Sequence, residues 1–452
     1  MLNKIFKLEE RGTTVSTEIL AGITTFITMA YVLAVIPAML SQTGMSKEAL
    51  FFATCLSAGI VTIVMGFSVN FPIALAPGMG LGAYFATIAT MPDGIPWETA
   101  LGIAFIAGIV FLILTITRIR QILVEAIPDS LKHALTIGIG FFITMIGLKI
   151  SNLVVVSTHL GPSLEAITAS KGVANLSFFE WDLKLGSFTQ PDALLAIIGL
   201  ATTSALIALR VRGAILLGVI ASTIIGIPLG LTNINSISFS LPSLGSLNIG
   251  TMDLKGAFDV AFIPLIFTFT FVGLMDTFGA LVSTANRAGI LREKNSSKLI
   301  GRAMFVDSAG ACLGAYLGVP CLTVYIESMS GISAGGRTGL TAITTGILFL
   351  LSLALGSLFI LIPNAATAPV LILVGLFMIS SVNEINFQDF TEGIPAFLTI
   401  IIMPFTYSIT NGISAGIVFY VLLKVVTGKW RNVHWMMYLL MLLITARFVF
   451  FS

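Results

Sequence analysis

The chain has 452 residues, of which 56% are hydrophobic and only 10% are charged, and its formal net charge is +2 at pH 7. Soluble domains carry about 25% charged residues, so this composition excludes an ordinary soluble protein and predicts a polytopic membrane protein. The near-neutral charge gives no reason to expect a nucleic-acid partner. Three cysteines without CxxC spacing and three histidines without HExxH spacing favour neither a disulfide nor a metal site, so we expect no metal and no cofactor.

Fourteen apolar runs follow one another along the chain, each long enough to cross a bilayer or shielded enough to do so when short. They cover residues 18–41, 49–70, 71–90, 98–118, 131–150, 192–210, 213–232, 258–286, 301–317, 319–335, 338–362, 366–382, 393–410 and 413–427. The polar segment 1–17 precedes them and does not resemble a cleavable signal peptide. A further run, 434–451, begins with VHWMMY, which favours an interfacial helix over a fifteenth span.

Basic residues in the connections orient the chain, because lysine and arginine are enriched in short cytoplasmic loops. Counted from a cytoplasmic amino terminus, all the basic clusters fall on one side of the membrane, although the loop 382–392 on that side is acidic. This orientation predicts that both ends of the series of apolar runs are in the cytoplasm. The polar connections 151–191 and 233–257 then lie on the opposite side of the membrane. The clustered residues are Lys4, Lys7, Arg11, Arg118, Arg120, Lys132, Arg210, Arg212, Arg287, Arg292, Lys294, Lys298, Arg302, Arg337, Lys424, Lys429 and Arg431.

The fourteen runs divide into two halves of seven, 18–232 and 258–427, with opposite orientation. The third run (NFPIALAPGMGLGAYF) and the tenth (GVPCLTVYIESMSGIS) occupy matching places, and proline and glycine interrupt both. Broken backbone at membrane depth is tolerated only where protein or a cavity satisfies its polar groups. Such segments at matching places in two halves predict the central binding site of a transporter.

Two carboxylates mark that site, because an ionisable residue at bilayer depth costs several kcal/mol and is functional by default. Asp276 lies in the eighth run and Glu327 in the tenth. The alternatives are structural: Glu327 could cap a half-helix that begins near Ser328, and Asp276 could bond to Thr277 or Thr268. Tyr325 is either a wall of the pocket or an aromatic of an extended segment.

For three other charged residues, a structural role is either preferred or as well supported as a functional one. Asp307 in MFVDSAGACLG is either a functional intramembrane carboxylate or the partner of Arg302 near the interface. Glu18 opens the first run and is better explained as a charge near a helix cap. Arg337 is better explained as an anchor on the cytoplasmic side than as a ligand group.

Several segments together resemble the nucleobase/ascorbate transporter superfamily, in its AzgA-like branch of purine permeases. They are ILAGITTFITMAYVLAVIP, APGMGLGAYF, DTFGALVSTANRAG, YIESMSGISAGGRTGLTAI and PAFLTIIIMPFTYSITNGI. The resemblance implies a helical 7+7 inverted repeat of 14 transmembrane segments, with two short strands at the bilayer midplane. Its core domain would comprise 18–118 and 258–362, and its gate domain 119–232 and 363–427. Residues 233–257 would form an extracytoplasmic loop, and 428–452 a basic carboxy-terminal segment.

The resemblance also implies an activity: secondary active import of a purine or purine-like nucleobase across the inner (plasma) membrane, by proton symport with an elevator-type movement. Asp276 and Glu327 would contact the base and couple it to protons; no catalytic residue is expected. Sodium is the alternative coupling ion, and a homodimer through the gate domain is a family-level expectation. The remaining predicted site residues belong to the third, eighth and tenth runs: Tyr325, Ile326, Thr323, Gly80, Gly82 and Gly273.

Departures from the family pattern fall in the segments that form the site. The family usually carries asparagine at Gly82 and a second aspartate at Gly273, and a serine- and threonine-rich strand where this chain has Pro320, Cys321 and Leu322. A roomier pocket with fewer hydrogen bonds would favour a ligand bulkier or less polar than the common purines. The alternative is that ordinary purine transport persists.

The sequence disfavours two other function classes. A small-anion carrier with the same inverted-repeat fold is the runner-up, although two carboxylates disfavour an anion site because like charges repel. A membrane enzyme lacks support, since the sequence has no GxGD, HExxH or DDxxD motif.

Overall fold

The computed structural model describes residues 2–91, 94–117, 119, 126–160, 179–211, 213–232, 248–290 and 296–450. Within these residues, nine helices are long and apolar enough to cross a membrane, and four apolar helices are shorter. The composition therefore predicted the class correctly: this is a helical polytopic membrane protein. Five of the basic residues used for orientation lie outside the described residues: Arg118, Arg120, Arg212, Arg292 and Lys294.

The first half contains nine helices and three strands within its described residues. They are α1 (Leu2–Phe6), α2 (Val15–Met29), α3 (Val32–Leu40), α4 (Lys47–Val69), β1 (Leu75–Pro77), α5 (Met79–Thr90), α6 (Trp97–Ile116), α7 (Asp129–Ile150), β2 (Val154–Leu160), β3 (Phe179–Leu185), α8 (Pro191–Ala208) and α9 (Ala214–Gly226).

The second half contains one strand and a similar succession of helices. They are α10 (Leu254–Ala257), α11 (Ile263–Arg287), α12 (Ser296–Leu317), β4 (Leu322–Val324), α13 (Ser328–Ser333), α14 (Gly339–Leu351), α15 (Gly356–Ile360), α16 (Asn364–Ile379), α17 (Phe390–Phe405), α18 (Ile409–Val426) and α19 (Trp435–Phe450).

Each of the fourteen apolar runs coincides with a helix, a pair of helices, or a strand followed by a helix. The first run is divided between α2 and α3, and the third and tenth each combine a short strand with a helix. The run 434–451 forms α19, which packs on α18. That there are fourteen spans, and that α19 is interfacial, stay predictions.

The connection between α7 and α8 differs from the expected helical architecture, because β2 and β3 pair there as an antiparallel hairpin. Strand β2 reads VVVSTHL and β3 reads FEWDLKL. Valine-rich and alternating apolar–polar sequences of this kind favour an extended ladder. The sequence analysis predicted a polar connection at this position but did not predict its two strands.

Helices pair across the two halves in matched sets. The second run of each half packs on the fourth run of the other, as α4 with α14 and α12 with α6. Likewise α7 packs on α17 while α16 packs on α8. Such reciprocal pairs are what a two-fold relation between the halves produces. Glycines permit the close approach: a Cβ at Gly66 would lie 2.7 Å from Ile343 Cγ1, and one at Gly346 would lie 2.6 Å from Ile63 Cγ1.

Glu18 joins the halves at the amino-terminal end of α14. Its carboxylate is fully buried and accepts hydrogen bonds from the backbone N–H groups of Arg337, at 2.8 Å, and Thr338, at 3.2 Å. The Thr341 hydroxyl donates to it as well, at 2.6 Å. A negative charge here satisfies donors of the first helical turn and complements the helix dipole. Glu18 is therefore near a helix cap, as predicted, but the helix it caps is α14 rather than its own.

We expect Glu18→Ala to destabilise the protein by about 3 kcal/mol, because several buried donors lose a charged acceptor. The measurement is thermal unfolding of the purified protein in detergent. Glu48→Ala is the matched control, since Glu48 also lies in a first helical turn but is exposed, and its loss should cost under about 1 kcal/mol. Equal midpoints for the two variants would contradict the role assigned to Glu18.

Candidate functional site

The two broken segments meet as a pair of antiparallel strands. Strand β1 pairs with β4, with Ala76 opposite Thr323, and all residues of both strands are buried. Two further backbone bonds extend the ladder: Gly78 N–H donates to the Cys321 carbonyl at 3.0 Å, and Tyr325 N–H donates to the Ala74 carbonyl at 3.1 Å. The strand pairing therefore brings the third and tenth runs together, as their shared proline and glycine breaks predicted.

Glu327 stands at the start of the half-helix α13, directly after β4. It occupies the N-cap position, but its side chain makes no capping hydrogen bond. Instead the hydroxyl of Tyr31 donates to Glu327 Oε1. The half-helix beginning at Ser328 was predicted correctly, and the structural alternative, in which the Glu327 carboxylate caps it, is not observed.

Tyr31 is a residue of this site that the sequence analysis missed. It lies in the break between α2 and α3 and is 1% exposed. The sequence signal is slight: Tyr31 is the one hydrogen-bonding aromatic in the apolar run ITTFITMAYVLAVIP. Its phenol thus holds one oxygen of the Glu327 carboxylate.

Asp276 lies on α11, close enough to Glu327 for their charges to interact. Both side chains are only partly buried, whereas Thr277 and Ser328, which follow them in the chain, are buried. The two hydroxyls considered as structural partners of Asp276 have other acceptors: Thr277 donates to Asp307 at 3.2 Å and Thr268 donates to the Pro264 carbonyl at 2.8 Å. The structure thus places the two predicted carboxylates at one location.

The other residues predicted in the tenth run divide between scaffold and cavity. Tyr325 is buried, and its hydroxyl donates to the carbonyl of Pro77 at 2.6 Å, which ties β4 to β1. Tyr325 is also within electrostatic range of Glu327 and Asp276. Thr323 is buried within β4. Ile326 is 55% exposed, so it borders an opening beside Glu327.

The predicted glycines face packed side chains. A Cβ at Gly80 would lie 2.8 Å from Ile139 Cγ2 of α7, and one at Gly82 would lie 2.8 Å from Met39 Cε of α3. A Cβ at Gly273 would lie 3.5 Å from Leu81 Cδ1 of α5. Each of these directions leads to a neighbouring helix. The prediction of a roomier pocket therefore rests on the resemblance, and it stays a prediction.

A chain of three hydroxyls joins α11, α18 and α5 about two turns from Asp276 along α11. The Thr268 and Thr410 hydroxyl oxygens are 2.5 Å apart, and Thr410 is 2.9 Å from the Tyr84 hydroxyl. All three residues are buried. This contact holds the amino-terminal half of α11 against α18 on one side of the site.

The chemistry available at the site is acceptance of hydrogen bonds. Carboxylates accept N–H and O–H bonds strongly. Two carboxylates whose charges interact repel each other, so the arrangement favours a ligand that donates hydrogen bonds, with a bound proton or cation to offset charge. Among the described residues, no group of three or more His, Cys, Asp or Glu is arranged to hold a metal ion.

Comparison with known proteins gives a consistent result. The family model described as Permease family (Xan_ur_permease) matches residues 16–415. The adenine permease AdeP of Escherichia coli K12 is 38% identical over 100% of this chain and 96% of its own length. The guanine/hypoxanthine permease PbuG of Bacillus subtilis is 37% identical over 99% of this chain and 100% of its own length.

Among solved structures, the transmembrane domain of the cyanobacterial bicarbonate transporter BicA resembles this fold with a TM-score of 0.62. It covers 89% of this chain and 97% of its own, at 16% sequence identity. At that identity the likeness concerns the fold alone.

Proposed function

Because this chain belongs to the Permease family of membrane transporters, whose relatives include purine permeases, we propose that it imports a purine or purine-like nucleobase by secondary active transport. The observation that carries the proposal is the pair Asp276 and Glu327 beside the paired strands β1 and β4. A nucleobase presents ring and exocyclic N–H groups, which are the partners that carboxylates accept best.

We propose that Glu327 contacts the base with the carboxylate oxygen that Tyr31 leaves available. Asp276 would bond the base from α11 and share in proton coupling with Glu327. Tyr325 and Ile326 would border the pocket from the tenth run, with Thr323 behind them. Gly80, Gly82 and Gly273 would allow the close helix packing that keeps the pocket in place.

Loss of charge at Glu327 should weaken the binding of adenine, guanine or hypoxanthine at least about tenfold, because a hydrogen bond to a charged group contributes roughly 1.5–3 kcal/mol. The measurement is calorimetric binding to purified Glu327→Gln protein. Glu384→Gln is the control, since Glu384 is exposed in the connection between α16 and α17. Wild-type affinity in Glu327→Gln would contradict the assignment.

Removal of the Tyr31 hydroxyl tests whether Glu327 must be held in place. We expect Tyr31→Phe to raise the KM for uptake about fivefold to tenfold with little change in maximal rate, since about 1 kcal/mol of pre-organisation is lost. Tyr316→Phe, which alters an exposed tyrosine, should leave KM unchanged. A fall in maximal rate at constant KM would show that Tyr31 acts elsewhere.

The small-anion carrier is the less favoured candidate. BicA carries bicarbonate on the same fold, but a fold does not fix a substrate. Two neighbouring carboxylates repel an anion unless a proton or cation intervenes. Competition in proteoliposomes separates the two: unlabelled purines, but neither sulfate nor dicarboxylates, should suppress uptake of labelled adenine or hypoxanthine.

We propose proton symport, with Asp276 and Glu327 as the coupling groups. An inward proton gradient should then drive accumulation of the base, and replacement of sodium by choline at fixed pH should have no effect. Asp276→Asn should abolish accumulation against a gradient while leaving exchange of labelled for unlabelled base. Dependence on a sodium gradient would overturn proton coupling and leave the nucleobase assignment intact.

We propose that transport follows an elevator movement of the core domain (18–118 and 258–362) against the gate domain (119–232 and 363–427). In this movement the contacts between the two units would break and re-form, among them the bond of Thr268 of the proposed core to Thr410 of the proposed gate. The strands β1 and β4 would lie at the bilayer midplane within the core. Residues 233–257 would be extracytoplasmic, and 428–452 would follow the gate at the cytoplasmic face.

A disulfide between core and gate should stop transport. In a background without Cys55, Cys312 and Cys321, Thr268→Cys with Thr410→Cys should abolish uptake when oxidised and regain it when reduced, because the two hydroxyl oxygens lie 2.5 Å apart. The matched control, Thr115→Cys with Ser308→Cys, joins α6 to α12 inside the proposed core, where the hydroxyls are 2.9 Å apart, and should keep transport. Full uptake by the oxidised core–gate protein would rule out the movement.

The setting of the protein completes the proposal. We propose an inner (plasma) membrane protein with fourteen spans and with both ends of its repeat in the cytoplasm. A homodimer through the gate domain would anchor the unit against which the core moves. Tags placed before α1 and after α18 should both be protected from protease in intact cells.

A further inference from the structure

Helix α11 has two opposite faces of different character. Its amino-terminal half presents an apolar face that forms a groove with α6, lined by Val110, Leu114, Ile263, Phe267, Phe271 and Leu274. Such a face suits contact with lipid chains. The carboxy-terminal half continues this face inward, because Thr277, Leu281, Thr284 and Ala285 are buried.

The opposite side of the carboxy-terminal half is polar and open. Asp276 is partly exposed, and Gly279, Ser283 and Asn286 are exposed. Their spacing of three, four and three residues places them in one line along the helix. The line is about 15 Å long at 1.5 Å per residue, and it reaches from the candidate site to the helix end at Arg287. We call these four residues the polar stripe.

Open space lies beside the stripe at Gly279. A Cβ built at Gly279, one turn from Asp276, would meet no heavy atom of the described residues within 4 Å. The half-helix α13 packs against α11; Ser333 of α13 is exposed and Ser330 is partly exposed, and Ile326, two residues before α13, is exposed as well. Two elements that carry the site and pack against each other thus both have exposed positions.

Exposure to lipid does not explain the stripe. Polar groups facing hydrocarbon cost free energy, and they occur at membrane depth where they line protein or water-filled cavities. The lipid-compatible face of α11 is the opposite one. On the other side of the site, the bonded hydroxyls of Thr268, Thr410 and Tyr84 fill the space between helices.

We infer that the polar stripe lines a water-accessible route joining the candidate site to the membrane face at which α11 ends. The inference rests on the proposed function for its cargo. Asp276 stands at the inner end of the route and Arg287 at its mouth, with Gly279, Ser283 and Asn286 uncharged between them. Such a lining suits an uncharged polar solute, which gains hydrogen bonds from hydroxyl and amide groups without crossing a charged barrier.

Thiol labelling tests the route without reference to transport. In the background free of Cys55, Cys312 and Cys321, Gly279→Cys, Ser283→Cys and Asn286→Cys should react with a charged, membrane-impermeant methanethiosulfonate. Thr284→Cys, on the buried face of the same turn, is the matched control. We expect the stripe positions to react at least about tenfold faster than position 284. They should do so only when the reagent is on the side of the membrane that holds the amino terminus.

A lipophilic maleimide distinguishes the alternatives. Stripe positions that reacted with the maleimide but not with the charged reagent would face lipid, and positions no faster than 284 would be packed; either result overturns the inference. Labelling that succeeds in a protein that takes up no purine would leave the route standing and refute the nucleobase assignment. Slower labelling at position 279 in saturating adenine or hypoxanthine, with position 286 unaffected, would establish both.

Discussion

The antiparallel pairing of β1 with β4 is the constraint on which the rest of the structure depends. Two extended segments deep in an apolar bundle would leave N–H and C=O groups unsatisfied, and hydrocarbon offers no substitute for water. Each strand supplies hydrogen-bond partners for the backbone of the other, and the Tyr325 hydroxyl donates to the carbonyl of Pro77. Glu327 is placed where it is because β4 ends at Val324 and α13 begins at Ser328, so the carboxylate lies in the short connection between them.

Features dictated by local composition were predictable from the sequence. Apolar length fixed the helices, and proline and glycine fixed the breaks in the third and tenth runs. The cost of an ionised group in a bilayer singled out Asp276 and Glu327. Reciprocal packing of α4 with α14 and α12 with α6 agrees with the two-half division read from the runs.

Features that depend on residues far apart in the chain were not predictable. Tyr31 meets Glu327 across 296 positions, and nothing near Tyr31 distinguishes it from a packing aromatic. Glu18 was assigned to the nearest helix start, whereas its partners lie at the amino-terminal end of α14. The missing side chains at Gly82 and Gly273 face Met39 and Leu81, a direction that only the three-dimensional arrangement reveals. The β2–β3 hairpin was missed because its alternating pattern lies in a polar connection.

The bond between Glu18 and Thr341 has a consequence for how the chain is made. The two residues are 323 positions apart. At about 5–20 residues per second, the ribosome therefore synthesises the residues that donate to Glu18 tens of seconds after Glu18 itself. During that interval the first helix enters the bilayer with an acidic group whose donors do not yet exist. Its place in the first turn of α2 lets the carboxylate stay in the hydrated headgroup region until α14 arrives. Final burial of Glu18 is therefore a late step of biogenesis, and it occurs only when the two halves of the chain have packed together.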